Sequence, residues 1–455
     1  MIAMKSIAIA LSFATAAFTV AAFSAAAFTV AADPAPATKP NIIFIISDDC
    51  GYNEFSFNGS KIPTPRIDSI ATGGATLKQG YVTSAVCSPS RAGLMTGRYQ
   101  ERFGFYGNLP LNHLEITGVP LSETMLPAAL KPAGYRNIAI GKWHLGWDPK
   151  FHPCKRGFDD FYGFIGGSRS YFPIEKPTIH NALMRDSKIV PGEENFTYTT
   201  DLFGDRAVDY IDRYEDKPFF LYLAFNATHS PKDVLPEDLA KAGGGNKVAD
   251  NIAAMTIALD RNVGKVLDVL DRNHLADNTL VVFINDNGGQ EQHNNKPLRG
   301  FKHDVYEGGI RVPFLMRWPG VIPAAIQYEN PVISLDLFAT SMALAGIPLP
   351  TDKTYDGVNL IPFLSGKDTG RPHKSLFFMF GNGWAVRDGE MKLVLNRDRK
   401  GPPELFDLAS DLSEKKDLAA SEPETVARLQ SLFDKWNSQN KPPIWGNTKA
   451  RGKDE

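Results

Sequence analysis

The chain has 455 residues, with 49 lysines and arginines against 51 aspartates and glutamates and a formal net charge of -2. A balance so close to neutral argues against a nucleic-acid-binding protein and against electrostatic attachment to a membrane. Three cysteines in a chain of this length cannot form a disulfide framework, which needs numerous paired cysteines. Cys50 and Cys154 could pair, but we interpret both as unpaired buried thiols.

The N-terminal segment, residues 1–32, has the features of a secretory signal. Lys5 precedes a long alanine-rich apolar run that ends in small residues at Ala31 and Ala32. We expect cleavage near Ala32, a polar linker over 33–40, and export of the mature chain to the periplasm or the medium without stable membrane association. A retained membrane anchor is the alternative, because the run is long enough to span a bilayer.

Apolar runs rich in β-branched residues recur along the next part of the chain. They lack polar alternation, which is typical of strands buried on both faces. Helical patterns separate them, most clearly over 247–272, where apolar residues three and four apart indicate core packing only. Strands alternating with helices predict an α/β domain over 41–360, with a large, mostly parallel sheet sandwiched between helices. The predicted strands are 41–47, 138–141, 218–225, 279–285 and 313–318.

The pattern changes after residue 360. An aromatic run at 377–380 is followed by a predicted turn at 381–384, a strand at 391–396 and a closing amphipathic helix at 423–436. This order predicts a smaller C-terminal α+β subdomain over 361–455.

Acidic and amide side chains follow two of the predicted strands. Asp48 and Asp49 come after the first strand, and Asp286 and Asn287 come after the fourth. Ligands of such sheets bind outside the carboxyl ends of the strands, and oxygen donors without histidine or cysteine favour calcium or magnesium over zinc. Either pair alone could equally be a turn or a helix cap. Two pairs at two strand ends predict a metal site.

Basic side chains occupy comparable positions at strand ends and in loops. They are Arg91, Lys142, His144, His229 and Lys302. A single lysine, arginine or histidine is usually solvated or structural, but their shared position predicts a common role. Together with a divalent cation they would bind a tetrahedral ester anion.

The surroundings of Cys87 resemble those of a known family. C-S-P-S-R at 87–91, followed by T-G at 96–97, matches the signature of type I sulfatases, in which the cysteine is oxidised to formylglycine. The segment 134–144 is similar to the second signature of that family, and further resemblance extends from residue 41 to about 440. The resemblance implies an alkaline-phosphatase-like fold and a maturation enzyme that modifies Cys87.

The resemblance also implies a metal site and a nucleophile. Asp48, Asp49, Asp286 and Asn287 resemble the calcium ligands, with the formylglycine made from Cys87 completing the shell. A hydrated aldehyde carries two hydroxyls on one carbon. One can accept the sulfuryl group to give a sulfoenzyme intermediate, and the other can expel it, which divides one hard step into two easier ones.

The same resemblance implies a role for each of the basic residues. Arg91 resembles the group that orients the formylglycine hydrate, and Lys142 and Lys302 resemble those that neutralise the sulfate oxygens. His229 resembles the general acid that protonates the leaving alcohol, and His144 the base that restores the aldehyde.

The substrate is predicted from one loop. Residues 155–173 are similar to the corresponding loop of bacterial sulfatases that act on sulfated glycans, so Arg169 and His293 are predicted sugar contacts, with solvated loop residues as the alternative. We therefore expect a hydrolase of O-sulfate groups on a carbohydrate. A phosphoester or phosphonate hydrolase of the same superfamily and a non-catalytic sulfated-glycan binding protein remain the alternatives.

Overall fold

A computed structural model describes residues 39–110, 116–191, 195–245 and 247–445. The predicted signal segment, 1–32, and all but the last two residues of the predicted linker lie outside the described residues. Over the part of the chain that is described, none of the helices combines the length and the apolar character needed to span a bilayer.

The helices are α1 (Pro65–Thr72), α2 (Cys87–Thr96), α3 (Leu126–Leu130), α4 (Thr199–Arg213), α5 (Pro236–Lys241), α6 (Val248–Arg272), α7 (Glu307–Ile310), α8 (Asp336–Leu344), α9 (Ile361–Leu364) and α10 (Pro423–Asn437). The strands are β1 (Asn41–Ser47), β2 (Ala75–Leu77), β3 (Gly80–Tyr81), β4 (Arg136–Lys142), β5 (Asp160–Phe164), β6 (Met184–Arg185), β7 (Lys188–Ile189), β8 (Phe219–Ala224), β9 (Thr279–Asn285), β10 (Phe314–Arg317), β11 (Ile326–Tyr328), β12 (Val332–Ile333), β13 (Ser375–Phe380), β14 (Gly383–Asp388), β15 (Met391–Leu395) and β16 (Glu404–Asp407).

The main sheet has ten strands within the described residues, in the order β11-β2-β10-β9-β1-β8-β4-β5-β6-β7. Its centre, β9-β1-β8-β4-β5, is parallel throughout. Towards one edge β10 runs antiparallel to β9, and at the other edge β6 and β7 are antiparallel to their neighbours. The predicted large sheet is confirmed as a mixed sheet with a parallel centre, in which the last predicted strand, β10, is antiparallel.

The sheet separates two apolar cores. Ile42, Phe44 and Ile46 of β1 lie in one core, and Ile43 and Ile45 lie in the other, because successive side chains of a strand point to opposite faces. Helices α2, α3 and α8 pack in the first core, and α1, α4 and α6 in the second. The predicted sandwich is therefore confirmed, and the apolar stripe of α6 is core packing as expected.

A separate antiparallel sheet, in the order β13-β14-β15-β16, follows in the described C-terminal region. Leu429, Phe433 and Trp436 of α10 are buried in the core of this sheet. The predicted turn at 381–384 is wrong at its end, because β14 begins at Gly383. The chain reverses within two residues, where Gly381 has a φ of 60° that glycine adopts without steric cost.

The cysteines are unpaired in the described structure. Cys50 and Cys87 are buried, whereas Cys154 is half-buried. The interpretation of Cys50 and Cys154 as separate thiols agrees with this arrangement, although Cys154 is less buried than expected.

The carboxyl group of Glu101 is buried where the segment that follows α10 contacts residues 101–104. Lys441 N donates to Glu101 O over 3.0 Å, and the Glu101 side chain accepts from Gln100 Nε2 at 2.8 Å. Its second oxygen has no hydrogen-bond partner among the described residues. Burial raises the pKa of Glu101 to about 8, so the folded protein holds this proton over a range of pH in which an unfolded chain loses it.

We expect Glu101→Gln to gain stability relative to the wild type as pH rises from 5 to 8. The folded wild type binds more protons in this window, so its free energy of unfolding falls with pH by up to about 1.4 kcal/mol per unit, and glutamine removes this dependence. Urea unfolding at four pH values measures the difference, with the exposed Glu215→Gln as the control. A pH-independent difference between the wild type and Glu101→Gln would contradict the prediction.

Candidate active site

The register of the parallel strands brings the predicted site residues to one edge of the sheet. Ser47 at the end of β1 lies opposite Asn285 at the end of β9. Ala224 at the end of β8 lies opposite both Ile46 of β1 and Gly141 of β4. Every side chain that the sequence places just after these strands therefore starts from the same edge.

The acidic residues meet Cys87 at this edge. Ligand atoms of Asp48, Asp49, Asp286 and Cys87 all lie within 4.8 Å of one another, and all four residues are buried. The sulfur of Cys87 is 3.7 Å from Asp48 Oδ1 and 3.9 Å from Asp49 Oδ1. Carboxylates from two distant parts of the chain and the cysteine thus form one cluster.

Helix α2 presents Cys87 to the cluster. Cys87 is the first residue of the helix, and Pro89 two residues later is tolerated because backbone N–H groups in the first turn have no intrahelical acceptor. Arg91 lies four residues after Cys87 and hence on the same face. The positive end of the helix dipole is directed to the site, which favours an anion there.

Arg91 is bound to Asp286. Its Nε and Nη2 atoms lie 2.9 and 2.8 Å from Asp286 Oδ2, and Nη1 donates to Tyr222 OH at 3.2 Å and to Lys142 O at 3.3 Å. The family resemblance implies that this guanidinium orients the formylglycine hydrate. In the structure it also holds the Asp286 carboxylate in place.

Two lysines neutralise the remaining carboxylates. Lys142 Nζ lies 2.6 Å from Asp48 Oδ2, and Lys302 Nζ lies 3.1 Å from Asp49 Oδ2. Although burial raises it, the pKa of Asp49 is held well below its usual value by Lys302 and the other nearby cations. Burial and the Asp48 charge raise the pKa of Asp286 to about 6. Each buried carboxylate thus has a cationic partner, and a bound divalent cation would give the pocket an excess positive charge.

Asn287 fits the role of a metal ligand. Its Nδ2 donates to Asp49 Oδ1 at 2.7 Å and to Gly288 O at 2.9 Å. Its Oδ1 is buried and has no hydrogen-bond partner among the described residues, although buried polar atoms are normally paired. An unpaired amide oxygen beside three carboxylates is the donor set of a hard cation such as calcium or magnesium. The residues present therefore fit the predicted metal.

Two histidines lie at the rim of the cluster. His229 Nδ1 is 2.7 Å from Ser230 O, which leaves Nε2 directed at Asp49 Oδ2, 3.5 Å away. Burial lowers the pKa of His229 to about 3, and burial together with Lys142 lowers the pKa of His144 well below its usual value. Both imidazoles are therefore neutral at pH 7. A side chain at Gly167 would place its Cβ 2.8 Å from the His144 ring, so glycine there makes room for His144.

The two predicted sugar contacts are buried. Arg169 is 2 % exposed, and its guanidinium donates to the carbonyls of Ser170 and Asn181. The His293 side chain is fully buried, with Nδ1 2.9 Å from Glu54 Oε2 and Nε2 2.7 Å from Lys232 Nζ. These contacts do not support direct sugar binding by either residue.

Four residues of the site were not predicted from the sequence. Asn285 accepts from Ser47 Oγ at 2.9 Å and donates to Cys50 O at 2.7 Å, so it ties the loop after β1 to β9. A polar residue closing an otherwise apolar strand is a signal that could have identified it. Tyr222 lies within an apolar strand, and Glu54 and Lys232 lie in loops without periodicity, so no comparable signal exists for them.

Comparison with known proteins agrees with this geometry. A family model described as Sulfatase matches residues 40–347, and one described as N-sulphoglucosamine sulphohydrolase, C-terminal, matches residues 301–439. N-acetylgalactosamine-6-sulfatase of Homo sapiens is 34% identical over an alignment of 389 residues. The alignment covers 76% of this chain and 73% of that protein.

Solved structures agree as well. A crystal structure of Ps i-CgsB in complex with k-i-k-neocarrahexaose is 37% identical, with a TM-score of 0.84 over 90% of this chain and 95% of that chain. A structure from work on the metabolism of multiple glycosaminoglycans by Bacteroides thetaiotaomicron is 27% identical, with a TM-score of 0.76 over 88% of this chain and 100% of that chain. Since the Sulfatase model covers more than half of the sequence and the described site unites the signature cysteine with the acidic cluster, the chain belongs to the sulfatase family and is a sulfuric ester hydrolase.

Proposed function

We propose that the protein hydrolyses O-sulfate groups on a carbohydrate, using a formylglycine made from Cys87 beside a bound calcium ion. The observation that carries the proposal is the position of the Cys87 sulfur, less than 4 Å from oxygens of Asp48 and Asp49 at the start of a buried helix. The carbohydrate substrate is supported by two similar proteins, one named N-acetylgalactosamine-6-sulfatase and one solved with k-i-k-neocarrahexaose.

Cys87 is better suited to be a precursor than a nucleophile. Burial raises the pKa of the Cys87 thiol far above neutrality, and a thiol that stays protonated is a poor nucleophile. When present, formylglycine supplies a hydrate with two hydroxyls on one carbon. The proposal therefore includes a formylglycine-generating maturation enzyme as a partner.

The cations around Cys87 suit a transferred sulfuryl group. Lys142 and Lys302 would bind its oxygens, and the start of α2 would add the positive end of a helix dipole. Removal of one such fixed charge costs about 3 kcal/mol of transition-state stabilisation by analogy with an oxyanion-hole donor.

Each histidine has a nitrogen available for proton transfer. His229, with Nδ1 held at the Ser230 carbonyl, would protonate the leaving oxygen through Nε2, since a bound anion raises the pKa of a nearby imidazole. His144, neutral and buried, would accept the proton that is released when sulfate leaves.

The metal would be held by Asp48, Asp49, Asp286 and Asn287. We propose calcium over magnesium because calcium accepts more oxygen ligands in flexible geometry, whereas magnesium retains several waters. When bound there, the metal would supply Lewis-acid chemistry, lowering the pKa of a hydroxyl and neutralising charge on the ester. We further propose cleavage of the segment 1–32, export to the periplasm or medium, and a C-terminal subdomain from residue 361.

We expect protein from the native host to carry an aldehyde or its hydrate at residue 87 and to hydrolyse a sulfate ester faster than the matched phosphate ester. The reason is that Cys87 lies in the signature that matches sulfatases, the family to which the chain belongs. Mass spectrometry of the tryptic peptide 79–91 and turnover of 4-nitrophenyl sulfate and phosphate measure both expectations.

A panel of sulfated galactose and hexosamine oligosaccharides extends this test to the natural substrate. Release of sulfate from at least one glycan supports the proposal. An unmodified thiol at residue 87 would favour the glycan-binding alternative, and faster phosphate turnover would favour a phosphoester hydrolase. Activity confined to small aryl sulfates would contradict the carbohydrate assignment.

A further inference from the structure

Three linked polar side chains, two of them buried, lie beside the active site and are not used by the proposed mechanism. Glu54 Oε2 is 2.9 Å from His293 Nδ1, and His293 Nε2 is 2.7 Å from Lys232 Nζ. The backbone N–H groups of Gly51 and Asn294 donate to the two Glu54 oxygens at 2.7 and 3.1 Å. Glu54 is thus fixed by the loops that follow β1 and β9.

The contacts determine the state of the His293 ring. A carboxylate at Nδ1 accepts a hydrogen bond, so Nδ1 carries the proton, while Nε2 faces an ammonium group that can only donate. The hydrogen-bond pattern is that of an imidazole that donates to Glu54 and accepts from Lys232. The Lys232 ammonium also donates to the carbonyl oxygen of Thr228. This carbonyl belongs to the residue before His229, so Lys232 is tied to the same loop as the proposed general acid.

Lys232 differs from the other cations of the site in the charge of its partners. Arg91, Lys142 and Lys302 each bind a carboxylate directly. The two acceptors of Lys232 in the described chain are a carbonyl oxygen and an imidazole nitrogen. Its positive charge has no direct anionic partner there, and an ammonium has three donors, so one donor remains for a ligand.

A ligand can reach Lys232, but it cannot reach the two buried residues that support it. The side chains of His293 and Glu54 are 0% and 3% exposed, whereas Lys232 is half-buried. Two buried residues that hold a partly exposed cation form a preorganised anion contact, because little side-chain entropy is lost when the ligand binds.

We infer that Lys232 binds a second anionic group of the substrate, a sulfate or a carboxylate on the same or the adjacent sugar, and that His293 and Glu54 are its positioning residues. The inference rests on the proposed function, since it concerns the leaving-group side of the same site. Lys232 then selects glycans that carry a further negative charge beside the ester to be cleaved.

The test compares competitive inhibition by a monosulfated sugar with inhibition by three sugars that each carry one further sulfate. Inhibition constants against 4-nitrophenyl sulfate are measured for galactose 6-sulfate and for the 2,6-, 3,6- and 4,6-disulfates of galactose. We expect at least one disulfate to bind the wild type about tenfold more tightly than the monosulfate, a difference of about 1.4 kcal/mol. In Lys232→Met this preference should disappear, and binding of the disulfate should fall by a larger factor than kcat/KM for 4-nitrophenyl sulfate.

Matched variants separate recognition from stability. Lys241→Met removes an exposed lysine of α5 and should keep the preference. His293→Gln should reduce the preference by a smaller factor, because Lys232 remains but is held less firmly. High salt should weaken the preference in the wild type and have little effect in Lys232→Met, since salt screens the interaction of a partly exposed charge.

The inference is overturned if no disulfate is preferred by the wild type, or if Lys232→Met keeps the preference. An equal loss of aryl sulfate turnover in Lys232→Met would also overturn it, because the role would then be structural or catalytic. Failure of fully converted protein to hydrolyse any sulfate ester would instead contradict the proposed function. Calorimetric titration with the same sugars would still measure the contribution of Lys232 in that case.

Discussion

Replacement of Cys87 by alanine is expected to lower kcat for sulfate ester hydrolysis by at least about 10⁴-fold, the scale found when a nucleophile is removed from a covalent mechanism. Alanine cannot be converted to an aldehyde, and the other described groups of the cluster are acids, bases and ligands. The expected result is measured with 4-nitrophenyl sulfate and with a sulfated oligosaccharide that the wild type cleaves.

The loss should occur without loss of the fold. Cys87→Ala removes one buried sulfur, so its melting temperature should stay within a few degrees of the wild type, and inhibitory sugars should still bind. Cys154→Ser, a half-buried thiol outside the cluster, serves as the control and should retain activity. Substantial turnover by Cys87→Ala would refute the assignment of the nucleophile.

Asp49→Asn is expected to weaken the metal site and lower kcat/KM by about 10³-fold. Asp49 contacts Lys302 at 3.1 Å, Asn287 at 2.7 Å and His229 at 3.5 Å, so removal of its charge affects the metal, a sulfate-binding cation and the proposed acid together. Loss of the anion also leaves the buried Lys302 ammonium without its partner, which costs about 3–5 kcal/mol in typical buried pairs.

Metal and stability effects can be measured separately. Activity of the wild type should vanish after treatment with a chelator and return with calcium, and Asp49→Asn should need a far higher calcium concentration. The double variant with Lys302→Met should regain part of the lost stability but none of the activity, because it removes the unpaired charge without restoring the ligand. Asp209→Asn, an exposed change in α4, is the control. Calcium-independent activity in the wild type would rule out the proposed metal.

Periodicity and local motifs were sufficient for much of the architecture. The apolar runs identified β1, β4, β8 and β9 because strands buried on both faces need no polar alternation, but they missed β5 of the same parallel centre. They could not give the direction of β10, which depends on how the chain returns to the sheet. The strands β14 and β16 were missed because turn residues and polar side chains interrupt their apolar pattern.

The catalytic cluster was predictable for a different reason. Strand ends of a parallel sheet share one edge, so the position of Asp48, Asp49, Asp286 and Asn287 in the sequence implied proximity, and the motif around Cys87 implied chemistry. The contacts of His293 could not be inferred in this way. The sequence suggested that its ring faces the sugar, whereas the structure places the ring between Glu54 and Lys232.

By itself the sequence determined four strands of the parallel centre and the position of the acids at two strand ends, because each follows from local geometry. Only the tertiary structure decided which cation meets which carboxylate and which charge remains without a direct anionic partner. Pairing of this kind depends on distances between loops far apart in the chain, and local geometry does not encode those distances.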